Sequence, residues 1–332
     1  MNNHPLLVTG ATGHIGNVLV RTLLEHGEQI RALILPGEDT TPLSGLDVEQ
    51  VPGDILDCTA LRHALQGVKT VFHLAGVISI LPGEQPRVRQ INVQGTLNVL
   101  KTAMQTGVER LIYTSSIHAL ARLPHGQTVD EQTPFDPHNP YGVYDQSKAQ
   151  ATLAVQQAAA EGLPAVIACP TGVIGPFDFR GSFMGSLIRS AATQQMTPYV
   201  DGAYDFVDVR DVAAGLLAAW KKGRPGETYI LSGEQITIKA LLETVRQITG
   251  KNFLQVRVPL ALARLVARFT PLYYRLTQRT PRFTPYALEV LQSNCQISHA
   301  KASRELGYQP RPLYESIRDT VHWFLAQRYM PA

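Results

Sequence analysis

The sequence predicts an α/β protein built around a doubly wound parallel sheet, with a smaller C-terminal lobe. Its 332 residues exceed what one small core needs and suggest a large α/β domain with an added lobe. Apolar residues make up 44% of the chain and charged residues 17%, so a sizeable core can be buried. Short apolar runs also alternate with helical patterns, which is typical of parallel strands joined by crossover helices.

The strands and helices of this sheet are predicted from short segments in the first half of the chain. Apolar runs typical of buried strands lie at residues 6–9, 30–35, 70–74, 110–114 and 165–169. Helical patterns occupy residues 17–26, 61–66, 93–105 and 148–160. Two parallel strands require a long connection, and each helical segment is suited to that role.

A glycine-rich turn follows the first predicted strand and opens the first helix. Gly10, Gly13 and Gly16 are three residues apart in the run Gly-Ala-Thr-Gly-His-Ile-Gly. Such glycines let the backbone turn tightly, approach a pyrophosphate and pack the next helix against the strand. The helix N-terminus then faces the phosphates with its positive end. The turn therefore predicts a Rossmann-type dinucleotide site.

Further motifs resemble those of the extended short-chain dehydrogenase/reductases and follow that family's order over nearly the whole chain. They are GDILD at residues 53–57, HLAG at 73–76, NVQGTLNV at 92–99, YTSS at 113–116, YDQSK at 144–148, PTGVIGP at 170–176 and FVDVRDV at 206–212. The resemblance implies NAD(P)(H) as the cofactor. The cofactor-binding residues that the turn and the resemblance imply are Gly10, Thr12, Gly13, His14, Ile15, Gly16, Leu35, Asp54, Ile55, Leu74, Ala75, Gly76, Asn92, Thr114, Tyr144, Lys148, Pro170, Gly172 and Val173.

Tyr144 and Lys148 are predicted as the proton-transfer pair. Positions i and i+4 share one face of a helix, so the phenol and the ammonium approach the same point. A free phenol has a pKa of about 10, and a neighbouring cation is expected to lower it. Tyr144 would donate the proton in carbonyl reduction, and by resemblance Lys148 also holds the nicotinamide ribose. Tyr141 has an aspartate four residues later and is predicted to be a loop aromatic.

Ser116 is predicted to hydrogen-bond the reacting oxygen, because the resemblance places the active hydroxyl at this third position of its segment. Ser115 would then be packed or help the cofactor. For Asn92 two roles stay open, namely steadying a water or carbonyl near the site and capping a helix. Asp211 is predicted to cap a helix that begins at Val212.

Two histidines, His73 and His118, are interpreted as packing or pocket-lining groups. The sequence leaves the preference between NAD and NADP open. An acidic residue at the end of the second strand would favour NAD and a basic residue would favour NADP, but Ile34 and Leu35 stand there. Glu38 and Asp39 follow in the same loop and would repel a 2′-phosphate if they folded inward.

After Pro170 the chain changes to longer loops rich in Gly, Pro and aromatic residues, and the strand and helix rhythm returns at 204–220 and 228–231. We therefore predict a dinucleotide-binding Rossmann domain from residues 1–172 and 203–232. A substrate-binding lobe would comprise residues 173–202 and 233–332.

The substrate class follows from resemblance within the family. Ile117 and His118 stand where nucleotide-sugar dehydratases carry Asp-Glu, and the polar sugar-binding segments of epimerases are missing. The segments 170–176, 206–212 and 301–308 look more like dihydroflavonol-reductase-like and 3β-hydroxysteroid-dehydrogenase-like members. These act on a ketone or secondary alcohol of bulky, mostly apolar molecules. Residues that could either line such a pocket or belong to the core are Phe177, Phe179, Phe183, Met184, Tyr199, Tyr204 and Phe206.

Three functions remain open: an oxidoreductase of an apolar carbonyl compound, a nucleotide-sugar epimerase or dehydratase, and a non-catalytic dinucleotide sensor. A dinucleotide sensor would not require Ser116, Tyr144 and Lys148 together. The resemblance further implies a homodimer formed through helices such as 93–105 and 148–160.

Composition argues against several other classes. The net charge is only +3 and the basic residues are spread out, which argues against nucleic acid as a partner. Cys58, Cys169 and Cys295 are few, distant and odd in number, so we expect reduced thiols, a cytoplasmic location and no metal site. Residues 1–5 leave no room for an export signal, and Arg and Pro interrupt the apolar stretch 259–276, so no membrane span is expected.

Overall fold

A seven-stranded parallel sheet forms the centre of the chain in the computed structural model, which describes residues 4–78, 84–270 and 284–327. Its strands are β1 (Leu6–Thr9), β2 (Ile30–Ile34), β3 (Glu49–Pro52), β4 (Thr70–His73), β5 (Arg110–Thr114), β6 (Ala165–Pro170) and β10 (Thr228–Leu231). They are arranged in the order β10-β6-β5-β4-β1-β2-β3, and every pairing is parallel. This arrangement confirms the predicted doubly wound sheet.

Helices cover both faces of this sheet. They are α1 (His14–Glu25), α2 (Cys58–Ala64), α3 (Gln85–Arg89), α4 (Thr96–Thr106), α5 (Val143–Ala160) and α7 (Val209–Lys222). The buried faces of α1 and α7 form one apolar layer with Val8 and Ile112 of the sheet. Leu7 and Leu111 point to the other layer, with α2, α4 and α5. Successive strand residues face opposite sides, so continuous apolar strands fill both layers.

Most of the remaining elements form what we call the smaller lobe. They are β7 (Gly172–Ile174), α6 (Phe183–Thr193), β8 (Met196–Tyr199), β9 (Ala203–Asp208), β11 (Glu234–Thr237), α8 (Ile238–Thr249), β12 (Leu254–Arg257), α9 (Leu260–Ala267), α10 (Pro285–Leu291) and α12 (Leu313–Gln327). Helix α11 (Ala300–Leu306) packs instead against α7 and β10 of the large sheet. A three-stranded sheet in the order β11-β9-β7 packs against α6, α8 and α12. Strand β9, assigned above to the dinucleotide domain, therefore pairs outside the large sheet, whereas β10 lies within it. The division of the chain into two domains stays a proposal.

The helix after β9 begins earlier than the sequence predicted. Asp208 is its N-cap, and the Asp208 carboxylate accepts a hydrogen bond from the backbone N–H of Arg210. The predicted cap, Asp211, lies instead in the first turn of α7. There it accepts hydrogen bonds from the guanidinium of Arg311, at 2.8 and 2.9 Å. The prediction for Asp211 was wrong because the cap depends on where the strand ends, and β9 ends at Asp208.

Within the described ranges no helix is both long enough and apolar enough to cross a membrane. The interrupted stretch 259–276 contains α9, and its residues from 271 onward lie outside the described residues.

Candidate active site

The glycine-rich turn connects β1 to α1, and its three glycines have different roles. Gly10 has a positive φ of 72°, and a Cβ there would lie 2.7 Å from the backbone N of Ala75. A Cβ on Gly16 would clash with the Gly10 carbonyl. A Cβ on Gly13 would meet only the Gly10 oxygen, at 3.3 Å. Gly10 and Gly16 are therefore required by the turn itself, and Gly13 leaves an open face.

That open face fits a pyrophosphate. Gly13 is the N-cap of α1 and has no side chain to bind the first amides of the helix. The amides are thus free to face an anion, which the positive end of the helix also favours. Other predicted cofactor residues lie at the same edge of the sheet: Leu74 and Ala75 follow β4, Thr114 ends β5 and Pro170 ends β6. In open α/β sheets this edge is where ligands bind.

Three of the residues predicted to contact the adenosine half of the cofactor are Asp54, Ile55 and Leu35, and each has different surroundings. Asp54 uses its carboxylate locally, accepting from the backbone N–H of Leu56 at 2.9 Å. Ile55 packs so closely against Gly95 that a Cβ there would clash with it. Leu35 is 46% exposed after the end of β2. Their roles toward the cofactor stay predictions.

An acidic residue reaches the turn although the strand end carries none. The carboxylate of Glu38 accepts hydrogen bonds from the hydroxyl of Thr12, at 2.7 Å, and from the backbone N–H of Leu35, at 3.2 Å. The sequence placed Glu38 in the right loop but left its direction open. Asp39 instead binds the backbone and hydroxyl of Thr41. Glu38 is therefore the acidic group beside the glycine-rich turn, and its carboxylate also pairs there with Arg180.

Ser116, Tyr144 and Lys148 converge at the end of β5, and all three are buried. Tyr144 and Lys148 lie one turn apart on α5, and the Ser116 hydroxyl lies near enough to the phenol to act against the rise of its pKa. Lys148 Nζ donates to the carbonyl of Thr114 at 2.7 Å. Ser115 points elsewhere, with its hydroxyl 2.6 Å from that of Thr152. This geometry supports Ser116, and not Ser115, as the active hydroxyl.

The pKa of Tyr144 is shifted in the opposite direction to the one expected beside Lys148. Burial raises the pKa of Tyr144 to about 12, with the hydrogen bond from Ser116 acting in the opposite direction. Burial also lowers the pKa of Lys148 from 10.5 to about 8. The expected lowering of the phenol pKa by Lys148 is not found, because desolvation dominates and the ammonium is directed to the Thr114 carbonyl. Tyr144 is therefore a neutral phenol near pH 7, and its role as proton donor stays a prediction.

Two roles were left open for Asn92, and helix capping is excluded because the residue lies inside the π-helix Gln90–Gly95. Its side-chain amide accepts from the backbone N–H of Val77, at 2.8 Å, and donates to the Val77 carbonyl, at 3.0 Å. It also donates to the hydroxyl of Ser147 at 3.0 Å. Because Ser147 precedes Lys148 on α5, Asn92 holds the catalytic helix against the loop after β4.

His118 and Tyr204 form a buried polar wall next to Tyr144. The phenol oxygen of Tyr204 lies 2.7 Å from Nε2 of His118, and the two rings are stacked. The ring centroids of His118 and Tyr144 are 6.4 Å apart. Burial lowers the pKa of His118, so its imidazole is neutral near pH 7. His73, by contrast, bridges Thr9 and Thr96 inside the core.

Tyr286 completes this wall from α10, and sequence reasoning missed it. Its ring centroid lies 5.9 Å from that of His118, and its hydroxyl donates to Asp145 at 2.5 Å. Asp145 is 1% exposed and also pairs with Arg122 at 3.3 Å. The guanidinium of Arg122 in turn lies 3.6 Å from the ring centre of Tyr141. No local sequence pattern marks Tyr286, because it lies on α10 of the smaller lobe, far along the chain from Tyr144.

Most of the aromatic residues after Pro176 do not reach the site. Phe206 and Tyr199 belong to the core of the smaller lobe. Phe177 and Phe179 contact Trp323, and Phe183 is 42% exposed. Tyr204 alone among the seven named residues contacts His118 in the described part of the chain. The core interpretation therefore holds for several of them.

A separate polar cleft of about 570 Å³ opens between the loop at His125 and Gly126 and the smaller lobe. On the side of the smaller lobe its lining residues include Asp201, Thr237, Lys239 and Gln292. None of Ser116, Tyr144 and Lys148 lines it.

Comparison with known proteins finds a matching family model and similar proteins. The model of the NAD dependent epimerase/dehydratase family matches residues 6–232. Sterol demethylase protein B of Methylococcus capsulatus is 38% identical over 320 residues, covering 96% of this chain and 97% of that protein. A 3beta-hydroxysteroid-dehydrogenase/decarboxylase of Arabidopsis thaliana is 28% identical, covering 96% and 79%. The crystal structure of gox2253 has a TM-score of 0.86 and 34% identity, covering 99% of this chain and 100% of that chain.

The fold and the site define a dinucleotide-dependent enzyme with a tyrosine–lysine pair. The chain belongs to the NAD-dependent epimerase/dehydratase family, the extended branch of the short-chain dehydrogenase/reductases. The resemblance stated from the motifs is thereby confirmed, as is NAD(P) as the cofactor.

The lowered pKa of Lys148 predicts that this residue costs stability at neutral pH. Its penalty is present in full below about pH 8 and disappears as the pH rises through the unfolded value of 10.5. Lys148→Met should therefore be more stable than wild type at pH 7, by about 1–3 kcal/mol after the lost hydrogen bond to Thr114 is counted. The advantage should shrink toward pH 10. Urea unfolding at both pH values measures it.

Lys101→Met is the matched control, because Lys101 is exposed on α4. It should change stability little at either pH. A Lys148→Met variant less stable than wild type at pH 7 would contradict the burial cost.

Proposed function

We propose that this enzyme transfers hydride between NAD(P) and a ketone or secondary alcohol on a bulky, mostly apolar, sterol-like molecule. The observation that carries the proposal is the convergence of Ser116, Tyr144 and Lys148 in one buried cluster. The similarity to proteins named for sterols and hydroxysteroids supports the substrate class.

In the proposed mechanism, the hydroxyl of Ser116 holds the substrate oxygen and Tyr144 exchanges a proton with it. Tyr144 donates the proton when a ketone is reduced and accepts it when an alcohol is oxidised. Bound NAD(P) supplies or accepts the hydride. Lys148 keeps Tyr144 in position through Thr114, and the neutral His118 and Tyr204 form a polar wall at the reacting end. The apolar body of the substrate would extend into the smaller lobe.

Nucleotide-sugar epimerisation or dehydration is the alternative for the same fold, and dinucleotide sensing is a third. Ile117 and His118 follow the active serine, and the His118 imidazole is occupied by Tyr204. This arrangement offers no acidic pair for dehydration. An oxidoreductase consumes added NAD(P)(H) in proportion to product, whereas an epimerase recycles a cofactor that it retains, and a sensor turns nothing over.

Tyr144→Phe should lower kcat by about 10²- to 10⁴-fold, because it removes the proton donor with little change of shape. The Kd for NADH should stay nearly unchanged. The measurement is single-turnover hydride transfer with a 3β-hydroxysteroid or its ketone, followed by nicotinamide absorbance.

Tyr141→Phe is the control, since Tyr141 is 41% exposed and lies three residues away. It should keep the wild-type rate. The assignment of the proton donor fails if Tyr144→Phe keeps that rate while Ser115→Ala or His118→Ala abolishes it.

We also propose that the enzyme prefers NAD to NADP. The carboxylate of Glu38 lies against Thr12 of the glycine-rich turn, where it can accept from ribose hydroxyls and repel a 2′-phosphate. Glu38→Gln should therefore raise the ratio of kcat/KM for NADP to that for NAD by about tenfold or more. Asp39→Asn is the matched control, because the hydrogen bonds of the Asp39 carboxylate go to Thr41 of its own loop. An unchanged ratio in Glu38→Gln would refute the preference.

We propose that two copies pair through α4 and α5, forming a homodimer. Three apolar side chains on these adjacent helices are exposed: Leu97 at 40%, Met104 at 42% and Leu153 at 39%. Leu153→Glu should shift the chain toward monomer in analytical ultracentrifugation, because a buried unpaired charge is costly. Leu262→Glu on α9, 50% exposed, should not. A wild-type monomer at micromolar concentration would reject the proposal.

A cytoplasmic location remains our proposal. Cys58, Cys169 and Cys295 are all unpaired, which suits a reducing compartment. Fractionation of cells expressing the chain would test it, and recovery outside the cytoplasm would refute it.

A further inference from the structure

A short segment of the smaller lobe lies directly over the N-terminus of α1. The His14 ring nitrogen Nε2 is 2.9 Å from the carbonyl oxygen of Pro176. Asn17 donates to the Phe177 carbonyl at 3.2 Å and to the Gly13 carbonyl at 2.8 Å. Asn17 thus connects this segment to the glycine-rich turn. We call residues 176–180 the bridging segment.

The conformation of the bridging segment is held on both sides. Phe177 has a φ of +66°, which a non-glycine residue adopts only when its surroundings impose it. Its ring lies 4.6 Å from the guanidinium of Arg21, and its carbonyl binds Asn17. Asp178 accepts from the backbone and hydroxyl of Ser182, which caps α6. The segment therefore has a defined path from α1 into the smaller lobe.

Arg180 ends this segment and places a guanidinium on the cofactor turn. Its Nη2 donates to the hydroxyl of Thr12 at 2.7 Å and pairs with Glu38 at 2.5 Å. The Arg180 side chain is 55% exposed and that of Glu38 is 20% exposed. Thr12 lies between Gly10 and Gly13, so the cation is next to the open face of Gly13. No part of the sequence pattern around residue 180 marked it as a cofactor residue.

We propose that Arg180 is a phosphate-binding residue that the smaller lobe contributes to the dinucleotide site, with the diphosphate as its ligand. A guanidinium matches phosphate oxygens with two parallel donors, and this pairing is stronger than a partly exposed ion pair. Glu38 holds Arg180 next to the turn before the dinucleotide arrives. Glu38 can accept hydrogen bonds from ribose hydroxyls, and Arg180 can donate to phosphate oxygens. Dinucleotide binding would then replace the ion pair between Arg180 and Glu38 with one contact from each residue to the ligand.

The same geometry permits an opposite role, in which Arg180 only closes the site by pairing with Glu38. The two roles predict opposite effects of Arg180 on the affinity for a dinucleotide. A phosphate-binding arginine strengthens dinucleotide binding, whereas a closing arginine must be displaced and weakens it. Affinity of variants therefore decides between them, and no turnover is needed, so the test is independent of the proposed reaction.

The experiment is calorimetric titration of the full chain with ADP-ribose, which has the diphosphate but no nicotinamide, and with 2′-phospho-ADP-ribose. Arg180→Gln should weaken binding of ADP-ribose by about tenfold to a hundredfold. Arg180→Lys keeps the charge but loses the two parallel donors, and its affinity should be intermediate. Arg246→Gln is the control, since Arg246 is exposed on α8 in the same lobe.

Binding of ADP-ribose should also depend less steeply on salt in Arg180→Gln than in Arg246→Gln, because one charge contact with phosphate is lost. Equal or tighter binding of ADP-ribose by a folded Arg180→Gln would overturn the proposal. A loss confined to 2′-phospho-ADP-ribose would also overturn it, because the contact would then be with the 2′-phosphate. If Arg180→Gln does not fold, wild-type affinity in Arg180→Lys overturns the requirement for two parallel donors.

Discussion

The hydrogen bond from Lys148 to the carbonyl of Thr114 determines how the catalytic cluster is arranged. It joins α5 to the end of β5 at 2.7 Å. Tyr144 lies one helical turn before Lys148, and Ser116 lies two residues after Thr114, so this one contact sets the phenol beside the serine. The ammonium is buried, and desolvation lowers its pKa to about 8. A buried cation with one carbonyl partner is unfavourable for stability, and such groups concentrate at sites where chemistry needs them.

Around this contact the reacting end of the site is polar, although the substrate proposed for it is mostly apolar. His118 and Tyr204 satisfy one another, and Asp145 is satisfied by Tyr286 and Arg122. Buried polar groups that are fully paired give a rigid and specific surface. Such a wall suits recognition of one oxygen atom and its immediate neighbours. The smaller lobe supplies Tyr204 and Tyr286 to this wall.

The smaller lobe also meets the cofactor turn. The bridging segment is bound by His14 and Asn17 of α1, and its last residue reaches Thr12 and Glu38. A dinucleotide at the glycine-rich turn is therefore expected to contact a segment whose Asp178 binds Ser182, the N-cap of α6.

The sequence by itself determined the parallel sheet, the glycine-rich turn and the facing of Tyr144 and Lys148. Each depends on local rules: strand and helix periodicity, the backbone freedom of Gly10, and the i, i+4 geometry of a helix. Only the tertiary structure decided the direction of the Tyr144 pKa, the partner of Asp211, and the roles of Glu38, Arg180 and Tyr286. Desolvation and ion pairing depend on which distant segments approach within a few ångströms. That proximity is set by packing of the whole chain, and no local pattern records it.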